Sequence, residues 1–128
     1  MEPLSVNPMM GPLAETLVQL GAKESDKIVN DGQYYRLLTP MVLHAGLIHY
    51  GLNMVALYAI GCALEMAHGT WIAATIFLLA SFGGNVLLAL FLPGFVSVGA
   101  SGGIFGYIGA CLADILLNYR LVFGNEYN

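Results

Sequence analysis

Charged side chains are scarce in this sequence of 128 residues. Lysine and arginine together number 4 and aspartate and glutamate 8, so that charged residues make up 9% of the chain, whereas about a quarter is typical of a soluble domain. Apolar residues reach 58%. This composition is typical of an all-α membrane protein, and the length allows one domain or part of one. Because no basic cluster occurs, we expect no nucleic-acid partner.

Cysteine and histidine are also scarce. Cys62 and Cys111 stand alone in apolar surroundings at a spacing that matches no metal or redox motif, so we predict two buried thiols. No histidine follows His68. Glu65 and His68 form a Glu-x-x-His pair, which binds metal in di-iron bundles only together with a second pair and further carboxylates. The sequence lacks these, and we therefore expect neither a metal nor a cofactor.

The few charges are concentrated near the N-terminus. Eight of the twelve charged side chains precede Leu37, in a polar segment over residues 1–36. This segment begins with neither the basic start nor the apolar core of a signal peptide. Its apolar spacing predicts a short amphipathic helix over residues 14–20 that ends at Gly21. No stretch within it is long and apolar enough to cross a bilayer.

The rest of the chain is mainly apolar. We predict a loop in or on the membrane over 37–48, because Pro40 and two histidines disfavour a lipid-exposed helix there. Apolar runs then predict membrane spans, and a tail follows; these lie at about 49–66, 70–92, 101–119 and 121–128. The short connections imply that the three spans run up, down and up.

This alternation brings polar residues to one membrane face. The first and third spans must begin on the same side, so His49 and Asn53 are expected near Ser101 although about fifty residues separate them. His49 and Asn53 are one helical turn apart, and their side chains therefore point the same way. Polar groups within a membrane need partners, and unexplained ones favour a functional hypothesis.

Ser101 is set among glycines within the run 98–106. Further glycines mostly share one helical face, at positions 102, 103, 106 and 109. Such a face allows another backbone to approach closely. The structural interpretation of Ser101 is a helix N-cap, since serine is favoured there. The functional interpretation is a member of the polar group with His49 and Asn53.

The order of these motifs resembles the rhomboid intramembrane serine proteases. The run 35–54 is similar to the first loop and second transmembrane helix of that family, and Gly-Ala-Ser-Gly at 99–102 matches its Gly-x-Ser-Gly motif. Residues 7–23 resemble the segment after the first helix in eukaryotic members. The resemblance implies a rhomboid-like helical bundle, with a partial rhomboid domain over 37–120 that holds three of the usual six core helices.

The resemblance also implies a role for each matching residue. Ser101, in the motif that begins at Gly99, would attack the scissile carbonyl of a transmembrane substrate. His49 and Asn53, with the Ser101 backbone N–H, would donate hydrogen bonds to the developing oxyanion. The structural alternative for these two side chains is hydrogen bonding between helices.

Four supporting positions are implied by the same resemblance. Phe105 stands where many rhomboids have an aromatic residue against the catalytic imidazole, and His44 where a histidine braces the first loop. Glu65 would hold backbone at the end of its helix, and Arg36, after Tyr35, is expected to be structural.

The general base is missing. A serine hydroxyl needs a neighbouring group to take its proton, and in rhomboids that group is a histidine on the last transmembrane helix. We therefore expect the chain to be a fragment of an active intramembrane endopeptidase, and the alternative is an inactive relative that binds transmembrane helices. Two other interpretations are that His49 itself is the base, or that the chain is a membrane scaffold or half of a transporter. Expected partners are the lipid bilayer and transmembrane protein substrates, and the expected localisation is integral and multi-pass in an unspecified membrane.

Overall fold

The computed structural model describes residues 1–123, and the expected all-helical fold is confirmed over them. One isolated antiparallel bridge joins Lys23 to Ser97. Residues 124–128 of the predicted tail lie outside the described part. The elements are α1 (Ala14–Leu20), α2 (Ser25–Val29), 3-10 turns at Tyr34–Leu37 and Thr39–Val42, α3 (Leu47–His68), α4 (Thr70–Phe91), α5 (Ser101–Leu117) and α6 (Tyr119–Phe123).

Two of these helices, α3 and α4, are long and apolar enough to cross a membrane. Each has 22 residues, roughly 33 Å at 1.5 Å per residue, which matches a hydrocarbon core of about 30 Å. Only 11% of the most apolar window of each is buried inside the protein. Lipid is therefore the solvent that suits their surfaces. The apolar helix α5 has 17 residues and is shorter than the span suggested by the sequence.

The glycine face of α5 packs directly on α4. A Cβ added to Gly103 would overlap the ring of Phe77, and one added to Gly106 would overlap the Cβ of Ala80. By contrast, a Cβ on Gly109 would meet nothing within 4 Å. The close approach of the two helices therefore depends on the first part of the glycine stripe.

We expect Gly106→Ala to destabilise the bundle and Gly109→Ala to leave it unchanged or stabilise it. The first methyl group must push α5 away from Ala80, at a cost of about 1–3 kcal/mol. The second enters open space and gains helix propensity of up to about 1 kcal/mol. Unfolding in detergent, followed by circular dichroism, measures both free energies. Equal destabilisation by the two substitutions would contradict this account of the packing.

The N-terminal segment lies against the end of the bundle where α4 ends and α5 begins. Helix α1 ends, as predicted, at Gly21, whose φ is +110° and whose N–H donates to the Val18 carbonyl. The next charged residue, Lys23, is fully buried. Its Nζ donates to the carbonyl oxygens of Leu92 at 2.8 Å and Phe95 at 2.6 Å, just beyond the C-terminus of α4. Burial lowers the pKa of the Lys23 ammonium from its ordinary value of 10.5.

We expect Lys23→Met to destabilise the protein by about 1–3 kcal/mol, because the Phe95 carbonyl would lose the Lys23 donor and the Leu92 carbonyl would keep only the N–H of Phe95. Lys27→Met is the matched control, since Lys27 is only half-buried and an ordinary surface substitution changes stability by about 0.5 kcal/mol or less. The free energies of unfolding of both variants decide the point. A Lys23→Met variant as stable as the Lys27→Met variant would rule out the structural role of the buried ammonium.

Candidate active site

Ser101 is the first residue of α5, and Ala100 occupies the N-cap position. No side-chain hydrogen bond caps this helix, so the interpretation of Ser101 as a capping serine is wrong. Its side chain is half-buried and lines a cavity of about 490 Å³. As the first helical residue, Ser101 also has a backbone N–H without a partner inside the helix.

A backbone N–H determines which nitrogen of the neutral His49 ring carries the proton. The N–H of Ala45 donates to His49 Nδ1 at 3.1 Å. Because a backbone N–H can only donate, Nδ1 must be the unprotonated nitrogen, and in the neutral ring the proton lies on Nε2. His49 Nε2 is therefore a hydrogen-bond donor, and the interpretation of His49 as the general base is disfavoured.

Gly99 lies between His49 and Ser101. A Cβ added to Gly99 would lie 3.0 Å from His49 Nε2, 2.8 Å from His49 Cε1 and 3.8 Å from Ser101 Oγ. One point beside the Gly99 backbone is thus within 4 Å of both functional groups. Gly99 has a φ of +122°, which side-chain-bearing residues rarely adopt. The bare backbone at this position is what lets the imidazole approach the start of α5.

Asn53 lies one turn after His49 on α3 and is 7% exposed. Its Nδ2 donates to the His49 carbonyl oxygen at 2.8 Å, within the same helix. Its Oδ1 is buried and has no partner among the described residues. One N–H of the amide remains for a ligand, because the amide nitrogen carries two hydrogens.

The two aromatic supporting positions differ in their surroundings. The His44 ring packs edge-on against His49 and Tyr50, with centroids 5.4 Å and 5.2 Å apart. Burial lowers the pKa of His44 from its ordinary value, and the neighbouring His49 lowers it further. Phe105 lines the same cavity as Ser101 and is 70% exposed.

Arg36 lies away from these groups and holds the N-terminal segment together. Its guanidinium is buried and donates to the carbonyl oxygens of Val18 at 2.6 Å and Ala22 at 2.9 Å, beside the C-terminal end of α1. It also lies over the Tyr35 ring at 5.3 Å. The contacts of Arg36 are therefore those of a residue that stabilises the fold of the N-terminal segment.

Glu65 and His68 lie at the opposite end of α3 from His49. The Glu65 carboxylate accepts a hydrogen bond from the Thr70 hydroxyl at 2.5 Å, so its partner is a side chain at the start of α4. His68 Nε2 lies 2.5 Å from Asp114 Oδ2 on α5. The two residues thus engage different partners, although they are three positions apart.

The mainly apolar lining of the cavity beside Ser101 includes polar residues that the sequence analysis missed. Ser81 and Asn85 of α4 are buried, and Ser97 precedes α5. The Asn85 amide donates to the Leu37 carbonyl at 2.9 Å, whereas the Ser81 and Ser97 hydroxyls have no partner among the described residues. Asn85 could have been found from the sequence, because a carboxamide inside a membrane span calls for a partner.

The two long apolar helices are those of a helical membrane protein. At one end of the bundle a serine, a histidine and a glycine lie close together, and they form a candidate active site. Comparison with known proteins gives the family. Residues 31–128 match the Rhomboid domain, and the chain belongs to the rhomboid family. Members of this family are integral membrane proteins.

Several relatives are similar over most of the chain. RHOMBOID-like protein 6, mitochondrial, of Arabidopsis thaliana is 42% identical over 120 residues, which cover 94% of this chain and 39% of that protein. Rhomboid protease GluP of Bacillus subtilis is 42% identical over 107 residues, 84% of this chain and 21% of GluP. Inactive RHOMBOID-like protein 8 of Arabidopsis thaliana is 33% identical over 118 residues, 92% of this chain and 34% of that relative. No solved structure matches significantly.

The chain thus spans well under half the length of these relatives. The family itself includes a protease and a relative named inactive. Membership of the family therefore establishes the class of protein. Whether this chain is active has to be argued from its own residues.

We expect Gly99→Ala to displace the His49 ring and to destabilise the protein by about 1–3 kcal/mol, because its φ is unfavourable for alanine and its methyl group would press on the imidazole. Gly94→Ala is the matched control in the same loop, since a Cβ there meets nothing within 4 Å. Thermal unfolding and the NMR shifts of His49 measure the two effects. Unchanged His49 shifts in the Gly99→Ala variant would contradict the contact.

Proposed function

We propose that this chain carries the nucleophile and the oxyanion-binding half of an intramembrane serine endopeptidase. The observation that supports it best is the geometry around Gly99, which brings the protonated Nε2 of His49 and the hydroxyl of Ser101 within about 6.8 Å of each other. A substrate carbonyl bound between these two groups would meet a nucleophile and a hydrogen-bond donor together.

In the proposed reaction, Ser101 Oγ forms a bond to the carbonyl carbon of a transmembrane substrate. The hydroxyl proton passes to a general base, and the electron pair of the carbonyl double bond moves to oxygen. His49 Nε2–H and the Ser101 backbone N–H donate to this oxyanion, with the free N–H of Asn53 as a further donor. Loss of one such donor in a water-poor site typically costs about 10²–10³ in rate. The oxyanion then reforms the carbonyl as the C–N bond breaks, and the base gives its proton to the leaving amine. Water hydrolyses the remaining ester, which yields the carboxylic acid product and restores the Ser101 hydroxyl.

The general base would come from outside this sequence. His49 is a donor through Nε2, and His68 lies at the other end of α3, paired with Asp114. The remaining histidine, His44, packs behind His49. We therefore propose that a further helix of a longer protein supplies the base, in line with the share of the relatives that this chain covers.

The proposed setting is a membrane that the chain crosses more than once. The lipid-facing surfaces of α3 and α4 support it, and α5 would be the third crossing. The proposed substrates are transmembrane segments of other proteins, as expected for an active site that opens between apolar helices.

A second candidate function is the binding of transmembrane helices without cleavage. It is supported by the relative that is 33% identical to this chain and named inactive. In this case a substrate-like helix would place only a short part of its length in the cavity beside Ser101 and would be released intact.

Labelling with a fluorophosphonate distinguishes the two functions. We expect slow labelling of Ser101 in detergent, and faster labelling when imidazole in the buffer takes the place of the missing base. We expect His49→Ala to reduce the labelling rate by about 10²–10³, because the phosphoryl oxygen needs the same donors as the oxyanion. The measurement is the rate of probe incorporation, followed by peptide mass spectrometry.

Ser101→Ala and Ser5→Ala serve as matched controls, since Ser5 is exposed in the N-terminal segment. Labelling should disappear in the first variant and persist in the second. Equal labelling of native chain and Ser101→Ala would remove the protease interpretation. No labelling of native chain with or without imidazole would favour the binding function.

A further inference from the structure

We propose that Asn7 is a positioning residue for His49, acting through Ala45. This inference rests on the proposed function, in which the Nε2–H of His49 donates a hydrogen bond to the oxyanion. Asn7 belongs to the N-terminal segment and is separated from Ala45 by 38 positions. Its side chain is half-buried, and all of its contacts are to backbone atoms.

The Asn7 carboxamide is saturated by three backbone groups. Nδ2 donates to the carbonyl oxygens of Ala45 at 2.9 Å and Pro12 at 2.8 Å, and Oδ1 accepts from the N–H of Met9 at 2.9 Å. Only a carboxamide supplies two donors and an acceptor in this arrangement. Aspartate would keep the acceptor and replace both donors with lone pairs that face two carbonyl oxygens.

The same segment supplies acceptors to the start of α3. The N–H of Leu47 donates to the Met10 carbonyl and the N–H of Ile48 to the Met9 carbonyl, each at 3.2 Å. These are first-turn N–H groups, which have no partner within their own helix. Residues 7–12 therefore act as an external cap on the helix that carries His49.

The two segments touch through bare backbone. A Cβ added to Gly11 would overlap the carbonyl oxygen of Ala45, and one added to Gly46 would overlap the carbonyl oxygen of Met9. Residues 7–12 and residues 45–48 are thus packed so closely that neither segment can move toward the other.

Ala45 connects the contact between residues 7–12 and 45–48 to the candidate active site. Its carbonyl oxygen accepts from Asn7 Nδ2, and its N–H donates to His49 Nδ1 at 3.1 Å. The carbonyl and the N–H of Ala45 lie on neighbouring peptide planes that meet at the Ala45 Cα, so a restraint on the carbonyl limits the directions open to the N–H through two backbone dihedrals. That N–H decides which ring nitrogen carries the proton. Asn7 therefore keeps His49 in the tautomer whose Nε2 donates toward the oxyanion.

The test is nitrogen-15 NMR of histidine-labelled full chain in micelles, at a pH of about 8.5 where an ordinary imidazole is neutral. In the native chain we expect one unprotonated and one protonated ring nitrogen for His49, identified by their loss in His49→Gln. In Asn7→Asp we expect the two signals to move toward each other as the tautomers mix. Asn30→Asp is the control with the same change of charge, at an exposed position on α2's C-terminal side, and it should leave the signals in place.

Asn7→Ala is the second variant, and circular dichroism reports whether each variant keeps its helices. Mixed tautomers in a folded Asn7→Asp or Asn7→Ala chain support the proposal. Unchanged His49 signals in folded variants would overturn it, as would loss of helix in both, since Asn7 would then hold the fold as a whole. The readout needs no hydrolysis, so that failure of Ser101 to react with a fluorophosphonate would reject the proposed function and leave this result standing.

Discussion

The structure depends on a small number of polar side chains that satisfy backbone carbonyls of distant segments. Unpaired backbone groups are costly in an apolar environment, and this chain has few polar side chains with which to pair them. Each donor reaches across the sequence by 14 to 72 positions: Asn7 to Ala45, Lys23 to Leu92 and Phe95, Ser25 to Ala89, Arg36 to Val18 and Ala22, and Asn85 to Leu37. The N-terminal segment is therefore part of the bundle, and most of these bonds lie near the helix ends that carry the candidate site.

Close contact between backbone segments also positions the helices and the candidate site. The stripe that begins at Gly102 brings α5 against α4, and Gly99 brings the His49 ring to the start of α5. Both contacts use the same physical property of glycine, which is the absence of a Cβ. Because van der Waals packing rather than the hydrophobic effect holds helices together in lipid, such contacts have a large part in fixing the geometry of the site.

Much of the fold followed from the sequence. Apolar runs indicated the long helices, and the spacing from Ala14 to Gly21 indicated α1, because helix periodicity and C-capping are local properties. The start of α3 at Leu47, two residues before the predicted span, was harder to predict, since its first N–H groups bond to Met9 and Met10. Helix α2 was missed because its five residues have no periodic signal of their own.

The sequence by itself determined the membrane-type composition, the all-helical class and the residue types of the candidate site, because these depend on hydropathy and on short motifs. Only the tertiary structure decided that Ser101 is not a cap, that Lys23 and Arg36 are buried donors, and that the Ala45 N–H fixes the tautomer of His49. The reason is that hydrogen bonds between segments far apart in the chain depend on where the helices pack, which local sequence patterns do not encode.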